Sequence, residues 1–198
     1  MILAALMAMA MQAPAAAAGA AGSAATGTLP TFKSLCVSGR ANGDTAIKGA
    51  EALGWSTPPD AMMSNMPGAL KDMKNVKVRM SPPATGVYLV ITGSDADVLS
   101  TGQPAHNATC MVMGVNVGAA DGTLKADTIS WMGAEPSGEQ GPLTVYGYTE
   151  TGGSRTILKQ AQDQEAKAAF TSGKLHLVLL ASQGAVNMMI YVVPTQAN

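Results

Sequence analysis

Residues 175–193 read LHLVLLASQGAVNMMIYVV, two apolar runs joined by a short polar segment that contains a glycine. The runs, Leu175–Ala181 and Val186–Val193, contain no charged side chain and have the length of ordinary β-strands. Apolar runs of this length on either side of a glycine-containing turn are typical of a β-hairpin. Pro194 cannot donate a backbone hydrogen bond to a sheet, which predicts that the second strand ends there.

Five further segments are predicted to form strands of an antiparallel sheet. In the first, Val76, Val78 and Met80 alternate with basic residues, which is the pattern of a half-buried strand. Residues 87–92 are almost entirely apolar and predict a strand that is covered on both faces. The remaining strands are expected at about residues 109–117, 143–149 and 155–159.

Three segments are predicted to form short helices. The first follows Asp44 as N-cap and ends at Gly54, because glycine readily takes the left-handed conformation found after a last helical turn. Trp55 is then expected to pack back on that turn rather than to stack on a ligand. The other helices cover about residues 124–132 and 163–170. The sequence thus predicts an α+β fold, with an antiparallel sheet of about 6–8 strands and two or three short helices packed on it.

The first 32 residues contain no charged side chain. Within them, Ile2–Met11 is an unbroken apolar run, followed by Pro14 and a tract of alanine, glycine and serine. This order is typical of a secretory signal peptide and its cleavage region, although no basic residue precedes the run. A retained amphiphilic tail or anchor is the alternative.

The apolar run is too short for a membrane-spanning helix, which needs ~20 apolar residues, so no stable transmembrane span is expected. We interpret residues 1–25 as a signal peptide and small-residue linker, and residues 33–196 as a single α+β domain. The domain is therefore expected to be periplasmic or secreted.

The chain contains two cysteines, Cys36 and Cys110. In an oxidising compartment an even pair of cysteines predicts a disulfide, which here would tie the first helical segment to the sheet. Two buried free thiols are the alternative. A redox-active pair of the C-x-x-C type is excluded by the spacing.

The charge of the protein is nearly balanced, with 12 basic and 13 acidic residues. No run of basic residues is present, and few aromatic residues accompany the scattered ones. Proteins that bind nucleic acid through their overall electrostatics have a basic surface, so this composition argues against nucleic acid as a partner.

No sequence motif of a catalytic or cofactor site is present. Only His106 and His176 offer an imidazole base, on which most catalytic triads depend. His106 lies in a polar loop and is expected to be solvated. His176 interrupts an apolar strand and is expected to be a hydrogen-bonded residue of the sheet. A hydrolase that uses His106 or His176 is one alternative function.

Methionine is unusually common, with 14 residues in the chain. Thioethers are soft ligands that suit Cu(I), and they are also flexible fillers of apolar cores. Two short segments have ligand-like spacing, and they supply the candidate ligands for a Cu(I) site: Met62, Met63, Met66, His106, Met111 and Met113. On a strand, Met111 and Met113 share one face and Cys110 lies on the other, which argues against a joint site. Packing in the core is the competing interpretation.

Taken together, these features favour an exported, non-catalytic binding or accessory domain. Its expected partner is a small apolar ligand or a protein of the cell envelope. The low charge, the apolar strands and the lack of a catalytic motif support this interpretation. No catalytic residue and no cofactor is assigned, and Cu(I) binding and hydrolysis are the alternatives.

Overall fold

The structure is a computed structural model, and it describes residues 27–64, 73–83, 86–95, 107–159 and 163–195. Its centre is one antiparallel sheet of eight strands in the order β1-β2-β3-β8-β7-β5, with β4 and β6 sharing the outer edge of β5. The strands are β1 Lys74–Met80, β2 Val87–Ser94, β3 Asn107–Val115, β4 Gly138–Gln140, β5 Leu143–Thr151, β6 Ser154–Leu158, β7 His176–Gln183 and β8 Val186–Pro194.

The predicted hairpin forms the middle of this sheet. β7 and β8 pair from Leu177↔Val192 to Gln183↔Val186, and Gly184 in the connection has a positive φ of 59°. β8 pairs on its other side with β3 along its whole length. The strands predicted elsewhere are confirmed, while β4, which is only three residues long, was not predicted from the sequence.

Five helices are described: α1, which runs over Thr28–Phe32 and continues as a π-helical turn over Lys33–Val37, then α2 Gly43–Ala52, α3 Asp60–Ser64, α4 Leu124–Met132 and α5 Asp163–Thr171. A 3₁₀ turn, Gly118–Asp121, precedes α4. The α+β architecture predicted from the sequence is confirmed. Helix α1 was not predicted, and it begins before residue 33, where the sequence placed the start of the domain.

Contacts from distant parts of the chain hold the start of α1. The carboxylate of Asp121 accepts hydrogen bonds from the backbone N–H of Thr28 (2.7 Å), from the Thr28 hydroxyl, and from the Asn187 amide (3.0 Å). The preceding Gly27 N–H donates to the Tyr88 hydroxyl at 3.0 Å. A carboxylate at this position satisfies N–H groups that a first helical turn leaves without intrahelical partners.

Helix α2 begins slightly differently from the prediction. Its N-cap is Asn42, whose side chain accepts a hydrogen bond from the Thr45 N–H at 2.9 Å, and Asp44 lies in the first turn. Its end agrees with the prediction, because Gly54 has a φ of 78° and the Trp55 N–H donates to the Ala50 carbonyl at 3.0 Å. The Trp55 side chain is buried and stacks on Tyr88 rather than facing solvent.

One face of the sheet, here called the helical face, is covered by α1, α2 and α4. These helices contribute Phe32, Leu35, Ile47, Ala50, Leu124 and Met132 to a shared core. The sheet contributes buried aliphatic, aromatic and cysteine side chains: Val90, Cys110, Val112, Tyr146, Tyr148, Val178, Leu180, Met189, Tyr191 and Val193.

The opposite face is here called the methionine face. Its buried side chains form a second apolar core: Met73, Val78, Leu89, Ile91, Met111, Met113, Val115, Leu177, Leu179, Ala181, Val186, Met188, Ile190 and Val192. Met62 and Met63 of α3 pack against this core, as do Val76 and Met80 of β1. No aromatic side chain belongs to this core within the described part of the chain.

Candidate functional site

The predicted disulfide is present. The sulfur atoms of Cys36 and Cys110 are 1.99 Å apart, and both residues are fully buried in the helical-face core. The bond joins the last part of α1 to β3, as expected from the sequence. On the sheet, Cys110 lies opposite Tyr191 of β8 and Thr92 of β2, so the bond fixes α1 over the middle of the sheet.

The methionines proposed as Cu(I) ligands are distributed unevenly. Met111 and Met113 are buried on the methionine face, where Met62 and Met63 also pack. Met66 and His106 lie outside the described residues. Cys110 points to the opposite face and is held in the disulfide, so it offers no thiolate. No group of three or more histidine, cysteine or acidic residues capable of holding a metal occurs within the described ranges. Cu(I) binding stays a prediction.

His176 belongs to a cluster of aromatic side chains on the helical face. Its ring is 6 % exposed and stacks between Tyr148, at 5.1 Å between centroids, and Tyr191, at 6.3 Å. The Nδ1 atom of His176 lies 3.4 Å from the Tyr191 hydroxyl, which accepts a hydrogen bond from the Tyr148 hydroxyl at 3.2 Å. The three residues therefore form one buried chain of polar groups.

The environment of this chain favours uncharged side chains. Burial lowers the pKa of His176, the Glu150 carboxylate opposes this effect, and the guanidinium groups of Arg40 and Arg155 add to it. Burial is also the main cause of the raised pKa of Tyr148. Both groups are therefore neutral at pH 7.

The described surroundings of His176 can be compared with those of a catalytic histidine. Across the residues that the structure describes, the one side-chain hydrogen-bond partner of the His176 ring is a tyrosine hydroxyl, not a serine, cysteine or carboxylate. A catalytic histidine requires a nucleophile or a water position on one side and usually an orienting carboxylate on the other. His176 occupies the predicted position on the face shared with Val178 and Leu180. His106, the other candidate, lies outside the described residues.

Next to the cluster, the half-buried side chain of Trp131 has two cations close to its ring. The Lys33 ammonium lies 5.9 Å from the centroid of the Trp131 ring, and the Arg155 guanidinium lies 5.0 Å from it. Arg155 also lies 5.3 Å from the Tyr148 ring, and Phe32 packs edge-on against Trp131 at 6.0 Å. We call Lys33, Trp131 and Arg155 the Trp131 surface.

Among the described residues, no carboxylate neutralises the charges of the Trp131 surface. Two of the three arginines are paired, Arg40 with Glu150 at 3.2 Å and Arg79 with Glu51. Within the described residues, neither Arg155 nor Lys33 has a carboxylate oxygen within 4.0 Å. The surface therefore combines an aromatic ring with two uncompensated positive charges.

Sequence reasoning did not identify this surface. Lys33, Trp131 and Arg155 lie on α1, α4 and β6, and no local pattern links such distant positions. The available signal was weak: Trp131 lies near the end of a predicted helix, and Arg155 lies at the start of a predicted strand. Only the packing of α1 and α4 over the sheet brings the three side chains together.

Comparison with known proteins gives no match: no family model, no curated protein and no solved structure is significantly similar to this chain. Among the described helices, none has the length and apolar character required to cross a bilayer.

Proposed function

We propose that this protein is an exported, non-catalytic binding domain that contacts its partner through the Trp131 surface. The observation that carries the proposal is the Cys36–Cys110 disulfide, buried in the core. Stable structural disulfides are typical of proteins that fold outside the reducing cytosol. The apolar run Ile2–Met11 agrees with export, because it has the character of a signal peptide.

Binding is favoured over catalysis by the chemistry of the helical face. Its one described histidine is buried between two tyrosines and is hydrogen-bonded to the Tyr191 hydroxyl. Such a group is neither exposed to a substrate nor paired with a base or nucleophile. The Trp131 surface, in contrast, offers the residue types that are common in contact sites, a tryptophan and an arginine.

Export and oxidation can be tested together in cells that produce the full chain with its natural start. We expect the protein in the periplasm or the medium, without roughly its first 20–25 residues, and resistant to a thiol-alkylating reagent unless reduced. Mass spectrometry after fractionation gives all three readouts. An uncut protein in the cytosol with two alkylated cysteines would contradict the proposal.

Cu(I) binding is a second candidate, favoured by one observation. Seven methionines lie on or pack against one face of the sheet: Met62, Met63, Met73, Met80, Met111, Met113 and Met188. Thioether ligands suit Cu(I). A site at α3 predicts about one copper per protein, lost when Met62, Met63 and Met66 are changed to leucine. Sub-stoichiometric copper that is the same in this variant would exclude such a site.

A further inference from the structure

We propose that the Trp131 surface is an anion-binding site, in which Lys33 and Arg155 bind a phosphate or carboxylate group while Trp131 contacts the adjoining part of the ligand. This inference rests on the proposed binding function and names the chemistry of its ligand. It follows from three features of the surface: its charge, the fixed position of its arginine and the rigid mounting of Lys33 and Trp131.

The first feature is an excess of positive charge that the fold does not use. Glu150, the acidic residue whose charge acts on the neighbouring His176 and Tyr148, is already paired with Arg40. The other described ion pairs of lysine or arginine lie elsewhere on the molecule, so they do not neutralise Lys33 or Arg155. Two like charges near one ring repel each other, and an anion that binds at this ring offsets this cost.

The second feature is the fixed position of the Arg155 guanidinium. It is held against two rings, 5.0 Å from the Trp131 centroid and 5.3 Å from the Tyr148 centroid. Apart from a weak contact of Nη1 with the Met132 sulfur at 4.0 Å, its side chain donates no hydrogen bond to a described residue. A guanidinium has five N–H donors, so most of them are free to bind an oxyanion with two parallel hydrogen bonds.

The third feature is the rigid mounting of the other two residues. Lys33 and Cys36 belong to the same π-helical turn, and the disulfide fixes that turn to β3. Trp131 is braced by the edge of Phe32 and remains half exposed. Because little motion is lost when a ligand binds a fixed site, such a surface binds more tightly than the same residues on a mobile loop.

Trp131 also provides the test, because it reports on anions directly. The only other tryptophan, Trp55, is 4 % exposed and therefore contributes little to quenching by solutes. We expect iodide to quench Trp131 fluorescence more strongly than caesium does, relative to the neutral quencher acrylamide, at constant ionic strength. A local positive potential should raise the iodide quenching constant about twofold. Trp131→Phe identifies the signal, since it should remove the quenchable fraction.

Charge variants separate an anion site from general exposure. Lys33→Gln combined with Arg155→Gln should remove the iodide preference and leave acrylamide quenching unchanged. Lys125→Gln is the matched control, because Lys125 lies on the same helix as Trp131 but is paired with Glu139 at 2.6 Å. The Lys125→Gln variant should keep the iodide preference. Equal iodide quenching in the double variant and the wild-type protein would overturn the proposal.

The source of the anionic group is tested with two probes that compete with iodide. Inorganic phosphate should protect Trp131 if the ligand is a free small molecule, and phosphatidylglycerol vesicles, compared with phosphatidylcholine vesicles, should protect it if the ligand is a lipid headgroup. Arg155→Lys keeps the charge but not the paired donors. This variant should therefore retain the iodide preference, but phosphate or vesicles should no longer protect Trp131 from quenching. No protection by either probe would overturn the oxyanion assignment.

Failure of the anion site can be distinguished from failure of the proposed function. Quenching is measured on the purified, oxidised protein and does not depend on where the cell places it. An exported protein without iodide preference would remove the anion site and leave the exported binding domain. A cytosolic protein with two free thiols and an iodide preference would contradict export and leave the anion site standing.

Discussion

The two faces of the sheet are built from the same strands but contain different side chains. Met188 and Met189 show the contrast, because they are neighbours on β8 and point to opposite faces. The face of Met189 contains a disulfide, three buried tyrosines and a histidine. Among the described residues, the apolar core on the face of Met188 consists of aliphatic and methionine side chains. The chemical variety of this domain is thus concentrated on the face that the helices cover.

This difference separates two ways of filling a core. The helical face contains stiff aromatic rings with polar groups that need defined partners, and a covalent bond fixes one of the covering helices. The methionine face is filled by branched aliphatic side chains together with flexible methionines, which adapt to irregular spaces. We therefore expect the stability lost by a substitution on the helical face to depend on its position and hydrogen bonding. On the methionine face, the loss should depend mainly on the change in side-chain volume.

The largest effect is expected from removing the disulfide, which belongs to the helical face alone. Cys36→Ala combined with Cys110→Ala should lower the free energy of unfolding by about 4 kcal/mol, because the bond closes a loop of 74 residues in the unfolded chain. Denaturant unfolding measures this loss. Reduced wild-type protein is the control, and it should unfold at nearly the same denaturant concentration. A double variant as stable as the oxidised protein would show that α1 needs no covalent link.

The next largest effect is expected from substitutions at Met188 and Met189, which compare the two faces at adjacent residues. Met188 is 3 % exposed and Met189 is fully buried, so truncation to alanine should cost about 3 kcal/mol at either position. Replacement by leucine keeps the volume and should cost less than about 1.5 kcal/mol at both. Denaturant unfolding measures all four variants.

Oxidation tests the same pair without changing the sequence. Because both methionines are buried, native protein treated with hydrogen peroxide should form sulfoxide slowly at both positions, compared with protein unfolded in denaturant. Peptide mass spectrometry gives the two rates. Rapid oxidation of Met188 but not Met189 would show that the methionine face is open to solvent in solution.

The helical face should also give the protein a dependence on pH. The pKa of His176 is lowered by burial, so below about pH 6.5 the unfolded chain binds a proton that the folded protein does not. Stability should therefore fall as the pH decreases from 7 through 6.5 toward the lower folded-state pKa, and no further below it. His176→Phe should flatten this decrease between pH 7.5 and 5.5, and His106→Gln is the control for the other histidine. An unchanged slope in His176→Phe would contradict the prediction.

Local patterns in the sequence were sufficient for much of the fold. The β7–β8 hairpin, the end of α2 at Gly54 and the end of α4 at Gly133 depend on neighbouring residues, and each agrees with the prediction. The N-cap of α2 was placed two residues late, because Asn42 and Asp44 are both good cap residues and only the backbone shows which of them caps.

Features that depend on distant contacts could not be predicted. Helix α1 starts at Thr28 because the carboxylate of Asp121, far along the chain, accepts hydrogen bonds from Thr28 and is itself held by Asn187. The sequence of α1 alone resembles a linker. The disulfide was predictable because cysteines are few and pair in one way. The Trp131 surface was not, because cations and tryptophans carry no information about which of them meet in the folded protein.

The smallest effect is expected from two tyrosines of β5 that share the helical face. The buried Tyr146 hydroxyl has no hydrogen-bond partner among the described residues, and its pKa is raised to about 12, mainly by burial and then by Glu135 and Glu139. Tyr148 donates to Tyr191. Removing an unpaired buried hydroxyl relieves a desolvation cost, whereas removing a paired one loses a hydrogen bond.

Tyr146→Phe should therefore leave the free energy of unfolding unchanged or raise it slightly, and Tyr148→Phe should lower it by about 1 kcal/mol. Both variants keep the ring and its packing, so denaturant unfolding reports the hydroxyl alone. A loss at position 146 as large as that at position 148 would mean that the Tyr146 hydroxyl is paired in solution, for instance through a buried water. The helical face would then have its polar groups satisfied at both tyrosines, and the contrast with the methionine face would lie in hydrogen bonding as well as in side-chain shape.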